Sequence, residues 1–128
     1  MTSETTPAMS EYTETLDTEI WEDLREANED DPSFVDEITG IFVTSAKESI
    51  EQLKEAWDAK EMDSIQRYAH KLRGSSSQVG LINFQELMGN IMSDATKHDK
   101  EKIGANMEHL DGQWDVSLAT LMAEVSKA

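Results

Sequence analysis

The sequence predicts an all-α fold, an antiparallel four-helix bundle with a short additional N-terminal helix, and three observations carry that prediction. Only two prolines occur in 128 residues. No run of alternating apolar and polar residues with β-branched support reaches strand length. Four long segments repeat apolar residues at steps of three and four, which gives a helix one buried stripe, and short polar loops between such helices make neighbours antiparallel. The length is that of one domain.

Residues 1–15, rich in Thr, Ser and Glu, are expected to form a disordered acidic tail, leaving residues 16–128 for the bundle. The first helix starts at Asp17 or Thr18. Glu19, Glu22 and Asp23 favour its positive N-terminal end, and Leu16, Ile20 and Leu24 mark its buried side. The run NEDD ends it, and Asp31-Pro32 restarts the chain as N-cap and first helical residue. The second helix carries Phe34, Ile38, Ile41, Phe42, Ala46, Ile50, Leu53 and Trp57 at helical spacing.

A third helix begins at Met62 or Asp63 and buries Ile65, Ala69, Leu72, Ser76 and Val79, with Gly80 as its left-handed stop. The fourth carries Phe84, Leu87, Met88, Ile91, Met92 and Ala95 and fades at KHDKEK. The fifth has Ile103, Met107, Leu110, Trp114, Leu118, Leu121 and Val125, a stripe of about six turns. Gly104 and Gly112 weaken it, with Asp111-Gly112 as the place for a break. Methionines at this spacing read as core in preference to an adaptable binding groove.

Composition narrows the function. There is no cysteine, hence no disulfide framework, thiolate metal site or cysteine nucleophile, which suits a reducing compartment; the cytoplasm is the expected location. The N-terminus has no basic or apolar leader, and no window approaches the length of a membrane span. An initial Met and a chain running on to Ala128 favour a free-standing protein over a domain of a hybrid kinase. The net charge of −16 repels phosphate backbones and anionic leaflets, so neither nucleic acid nor membrane is an expected partner. Residues 1–37 hold thirteen acids and one base, Arg25. From Ser64 to Gln85 there is no acid at all, and Arg67, Lys71 and Arg73 flank His70 there, a local positive island.

That window contains AHKLRGSSSQVG, residues 69–80. Gly costs about 1 kcal/mol against Ala inside a helix, and Ser competes with the backbone for hydrogen bonds, so helix propensity did not select this run. With the core stripe running through Ala69, Leu72 and Ser76, the face one residue on carries Gln66, His70, Arg73, Gly74 and Ser77 and is polar throughout. An exposed histidine results. Gly74, one turn after His70, leaves the imidazole without a side chain beside it, and Ser75 and Ser76 are small enough for a neighbouring helix to come near. The alternative is that GSSSQVG is an inter-helix loop and His70 an ordinary solvated residue.

The stretch resembles the motif of histidine-containing phosphotransfer (HPt) domains, in which an Ala-His pair leads to a basic residue, Gly and one or two small residues, with a second Gly further on. Ala69, His70, Leu72, Gly74, Ser75, Ser76 and Gly80 agree in spacing. The position three after the histidine is usually Lys in the family and is Arg73 here, which keeps the charge but holds phosphate differently. Met88 stands where many members carry cysteine. Helix order, length and acidity fit over about residues 17 to 126.

The resemblance implies that His70 is the phosphoacceptor. It would take a phosphoryl group from an aspartyl phosphate on one response-regulator receiver domain and pass it to an aspartate on another, with a hybrid histidine kinase upstream. Arg73, and less directly Lys71, would neutralise the phosphoryl oxygens, since such transfer rests on positioning and charge. Gln66, Arg67, Gly74, Ser75, Ser76 and Ser77 would serve partner access and packing. No cofactor is implied for this chain; Mg²⁺ and its acidic ligands would come from the receiver. The carrier is expected to be a monomer without ATP-dependent kinase activity, because no Walker A loop or other Gly-rich phosphate cradle occurs.

Three other classes compete. A helical adaptor would leave the His70 face idle. A bundle metal protein would join His70, His98 and His109 to carboxylates, but none of them has a Glu three positions before it. A serine hydrolase is disfavoured because adjacent helical serines lie on different faces.

Overall fold

The computed structural model describes residues 12–128, six helices and no strand among them. They are α1 (Thr18–Asp30), α2 (Phe34–Asp58), α3 (Met62–Gln78), α4 (Ile82–Thr96), α5 (Lys100–Met107) and α6 (Leu110–Val125). Three-residue turns join α2 to α3 and α3 to α4, so consecutive helices run antiparallel. In the bundle α3 lies between α2 and α4, α6 closes it against both of those, and α1 packs on α2. Phe42 of α2 and Phe84 of α4 flank Trp114 of α6, with ring centroids 5.9 and 5.4 Å from the indole. Met62 and Met88 are buried, as core methionines.

Asp17 caps α1, its Oδ1 accepting from the Glu19 and Ile20 amides. The largest residue that α1 buries is Trp21, which the predicted stripe omits; Leu16 and Ile20 are only half-buried. The second helix begins at Phe34, two residues later than Asp31-Pro32 predicts. Asp31 organises a turn instead: its carboxylate accepts from the Ser33 amide and hydroxyl, and its carbonyl from the Phe34 amide. The buried side of α2 runs through Val35, Thr39, Phe42, Ala46, Ser49, Ile50, Leu53 and Ala56. Ile41, predicted to lie in the core, points outward and is 71% exposed, because Phe42 beside it takes the inward position and adjacent helical residues face about 100° apart.

Helix α3 matches its predicted stripe at every position: Ile65, Ala69, Leu72, Ser76 and Val79 are fully buried. Its end is a Schellman motif. Gly80 takes φ +69°, its amide donates to the Ser77 carbonyl, and the Leu81 amide reaches back to the Ser76 carbonyl. GSSSQ is therefore helix and not loop.

The predicted fifth helix is two. The break falls at Glu108-His109 and not at Asp111-Gly112, where the Glu108 amide still bonds the Gly104 carbonyl but the His109 amide tightens onto Asn106. Gly112 lies inside α6 for a different reason: a Cβ there would overlap the ring of Tyr12, whose hydroxyl lies 3.0 Å from His109 Nδ1.

Tyr12 belongs to the segment predicted as tail. Residues 12–15 are instead bound to the bundle, which moves its ordered start before residue 16; the earlier part of the predicted tail lies outside the described residues. The Glu14 carboxylate accepts from the amides of Asn83 (2.6 Å) and Phe84 (3.1 Å) and from the Ser117 hydroxyl. It thus caps α4, whose own N-cap position is Leu81, a residue with no capping side chain. The Thr15 carbonyl accepts from Ile82, the Gly80 carbonyl from the Asp17 amide, and the Thr13 carbonyl from Gln113 Nε2.

Two outcomes follow from this packing. Ser49 Oγ is buried without a hydrogen-bond partner among the described residues, so Ser49→Ala, which removes that hydroxyl and favours helix, should raise unfolding stability by about 1 kcal/mol in urea melts; a loss would mean that the hydroxyl is satisfied. Burial raises the Glu14 pKa above the ordinary carboxylate value, partly offset by the bonds from Asn83, Ser117, Phe84 and Thr15. A raised folded-state value means that Glu14 contributes most below the unfolded pKa, and that the contribution is lost as pH rises through the raised one. The difference in Tm between wild type and Glu14→Gln should therefore shift in favour of wild type as pH falls from about 7 to about 4. A difference constant with pH would contradict the shift.

Candidate functional site

The phosphotransfer-like motif lies on the outer side of α3. Gln66, Arg67, His70, Lys71, Arg73 and Gly74 are exposed, Ser75 and Ser77 half-buried, and Ser76 fully buried. The three serines are satisfied within the helix: Ser75 Oγ donates to the Lys71 carbonyl (3.1 Å), Ser76 Oγ to Arg73 (3.1 Å) and Ser77 Oγ to Gly74 (2.6 Å). None is oriented as a hydrolytic nucleophile. With a hydroxyl where a larger side chain would stand, Ser76 lets the helix behind α3 come near while keeping its own polar atom paired.

His70, Arg73, Gly74 and Ser77 of α3 and Gln85 of α4 border one shallow hollow of about 210 Å³. Among the described residues a Cβ at Gly74 would meet no atom within 4 Å, so none of them requires a glycine there and the space beside the imidazole is open to a partner. His70 forms no hydrogen bond to another described residue.

The other predicted cations are placed differently. Arg67 turns toward Tyr68, its guanidinium 5.0 Å from the ring centroid and Nη2 3.4 Å from the hydroxyl. Arg67, Lys71 and Gln66 do not border the hollow. His98 borders a separate cleft with Lys60 and Lys100, and His109 contacts Tyr12. Among the described residues no group of three or more His, Asp or Glu side chains is placed to hold a metal.

Gln85 is the site residue that sequence reasoning misses, although it ends the acid-free window. Its neighbour in space, Gly89, had a signal too: a glycine inside a predicted helix, as unfavourable as Gly74. The acid-free window is not matched by an acid-free surface. Asp17 and Glu86 border a second hollow of about 510 Å³, next to the first and sharing Arg73 and Gln85 with it. The positive island is thus a narrow one, centred on α3.

Comparison with known proteins identifies the family and the fold. The family model for the Hpt domain matches residues 37–128. The crystal structure of histidine-containing phosphotransfer protein B (HptB) from Pseudomonas aeruginosa PAO1 superposes with a TM-score of 0.77 at 19% identity, over 88% of this chain and 96% of that one, a likeness of fold. No curated protein matches the sequence. The family match covers most of the chain, and the chain belongs to the Hpt domain family, whose role is histidine phosphotransfer in phosphorelays.

Proposed function

We propose that His70 is the phosphoacceptor of a phosphorelay intermediate that takes its phosphoryl group from the aspartyl phosphate of one response-regulator receiver domain and delivers it to the aspartate of another. The observation that carries this reading is the surroundings of His70: an exposed imidazole with open space at Gly74, and Arg73 and Gln85 bordering the same hollow. A ring nitrogen of neutral His70 attacks phosphorus in line, the P–O bond to the aspartate breaks, and the carboxylate leaves as the P–N bond forms. The reverse sequence regenerates the imidazole. Arg73 is the cation placed to neutralise the equatorial oxygens, and Lys71, about 100° around the helix, contributes only at longer range. Mg²⁺ is held by the receiver.

The chain carries phosphate without making it from ATP, because its sequence has no phosphate-cradling Gly-rich loop. A hybrid histidine kinase or its receiver supplies the group. Mixing the chain with a receiver domain charged by acetyl phosphate tests this: one acid-labile, alkali-stable phosphate should appear on His70 by mass spectrometry. An adaptor would acquire none.

His70→Gln should abolish that uptake with Tm and helical content nearly unchanged, since an exposed side chain contributes little packing. Uptake persisting in the variant would move the site to another residue. Gly74→Gln should stabilise α3 by about 0.5 kcal/mol and yet slow transfer on the order of tenfold or more, because the new side chain fills the approach to the imidazole. Single-turnover quench measurements decide it, and transfer at the wild-type rate would refute the access role of Gly74.

A further inference from the structure

Two glycines interrupt the helices that frame the site. Gly74 is explained by the approach to His70, but Gly89 is on the facing helix α4, half-buried and well inside it. Its φ is not in the left-handed region, so no backbone conformation requires glycine. What lies over it is Arg73. A Cβ built at Gly89 would stand 3.7 Å from Arg73 Nε and 3.8 Å from Cδ. The stem of the arginine therefore lies on bare α4 backbone, at the distance where one methyl would just touch it and any longer side chain would occupy its path.

Arg73 is also where the two hollows meet. It borders the His70 hollow and the adjoining one that carries Asp17 and Glu86. Among the described residues it forms no ion pair. A cation on this ridge can turn to phosphoryl oxygens on His70 without breaking a bond in the resting protein, provided its stem keeps its place.

We propose that Gly89 is a positioning residue for phosphoryl transfer: its missing side chain forms the seat that holds the Arg73 stem across α4 and the guanidinium at the edge of the His70 hollow. The proposal rests on His70 being the phosphoacceptor. It extends the functional surface from α3 to α4 and explains why a helix accepts a residue costing about 1 kcal/mol against Ala at this position. Selection for stability alone would favour Ala there.

Potassium phosphoramidate provides the test, because this small donor needs no protein docking surface. Ammonia leaves as its P–N bond breaks and a P–N bond to His70 forms. Phosphorylation is followed by intact mass and ³¹P NMR in wild type, Gly89→Ala, Gly89→Leu, Arg73→Gln and the Gly89→Leu/Arg73→Gln pair, with melting curves for each. The uptake rate should fall with side-chain size, less than threefold for Ala and about tenfold for Leu, the latter close to the loss in Arg73→Gln, the scale of one charge-assisted hydrogen bond in the transition state. In the Arg73→Gln background, Gly89→Leu should change the rate less than twofold. Melting temperatures should hold or rise, which separates a misplaced arginine from a damaged fold.

A wild-type rate in Gly89→Leu, or full additivity in the pair, overturns the seat. Should Gly89→Leu melt early, Gly89→Ala alone decides, through the Arg73 Nε–Hε resonance: the seat predicts that it moves on substitution, and an unmoved resonance overturns it. A wild-type chain that gains no phosphate on His70 overturns the phosphoacceptor assignment and this proposal with it, whereas normal wild-type uptake with unaffected variants overturns this proposal alone.

Discussion

The turn from α3 into α4 is the constraint on which the site depends. His70 and Arg73 are on one helix and Gln85 on the other, and only the relative placement of the two brings them around a common hollow, with Gly89 of α4 beneath the Arg73 stem. Three elements hold the turn. Gly80 reverses the chain in a left-handed conformation that few other residues adopt without strain. Trp21, almost wholly buried, donates its indole N–H to the Val79 carbonyl at 2.9 Å, and the Asp17 amide donates to the Gly80 carbonyl. The Glu14 carboxylate then caps the first turn of α4. Buried carbonyls and helix-end amides each require a partner, and the N-terminal segment supplies all of these. A segment remote in sequence thereby sets the geometry of the hollow beside His70.

The same physics accounts for the unfavourable helix formers in α3. Each serine hydroxyl bonds a carbonyl in the preceding turn, a habit that weakens isolated helices, and Gly74 adds its own cost. Tertiary burial offsets these losses. Five residues of the stripe are fully buried, and at about 1.5 to 3 kcal/mol for each large apolar side chain their burial outweighs a propensity deficit of about 1 to 2 kcal/mol. Helix α3 forms because it is packed, which leaves its outer face free to be chosen for chemistry.

How far this was legible in the sequence depends on the kind of signal. Helix α3, its stop at Gly80 and the outward direction of His70 were legible because period and capping are local. In α2 the period was legible but its phase was not: Phe42 and Ile41 compete for one inward position, and only packing against Trp114 decides for Phe42. The N-terminal strap was illegible, since its anchors are polar pairs such as Glu14 with Asn83 and Ser117, 69 and 103 residues apart, which leave no periodic trace. Gln85 and Gly89 were missed for a related reason: Gln85 is ordinary within α4, the helix-weakening glycine at 89 is a signal without a direction, and both acquire meaning only opposite α3.

Charge also reads differently in three dimensions. The window from Ser64 to Gln85 is free of acids along the chain, yet Asp17, the cap of α1, and Glu86, the next residue of α4, stand at the rim of the adjoining hollow. Arg73 thus stands between carboxylates on one side and the imidazole on the other. Such a placement suits a carrier that must release what it binds. On the proposed reading, a cation committed wholly to the phosphoryl group would stabilise the phosphorylated state and slow the onward step, whereas carboxylates nearby would compete for that cation and help to keep exchange reversible. Arg67, held over the Tyr68 ring and exposed, does not border the hollow, and on the proposed reading it would act over about a Debye length, guiding an acidic receiver pocket to α3 without favouring either direction of transfer.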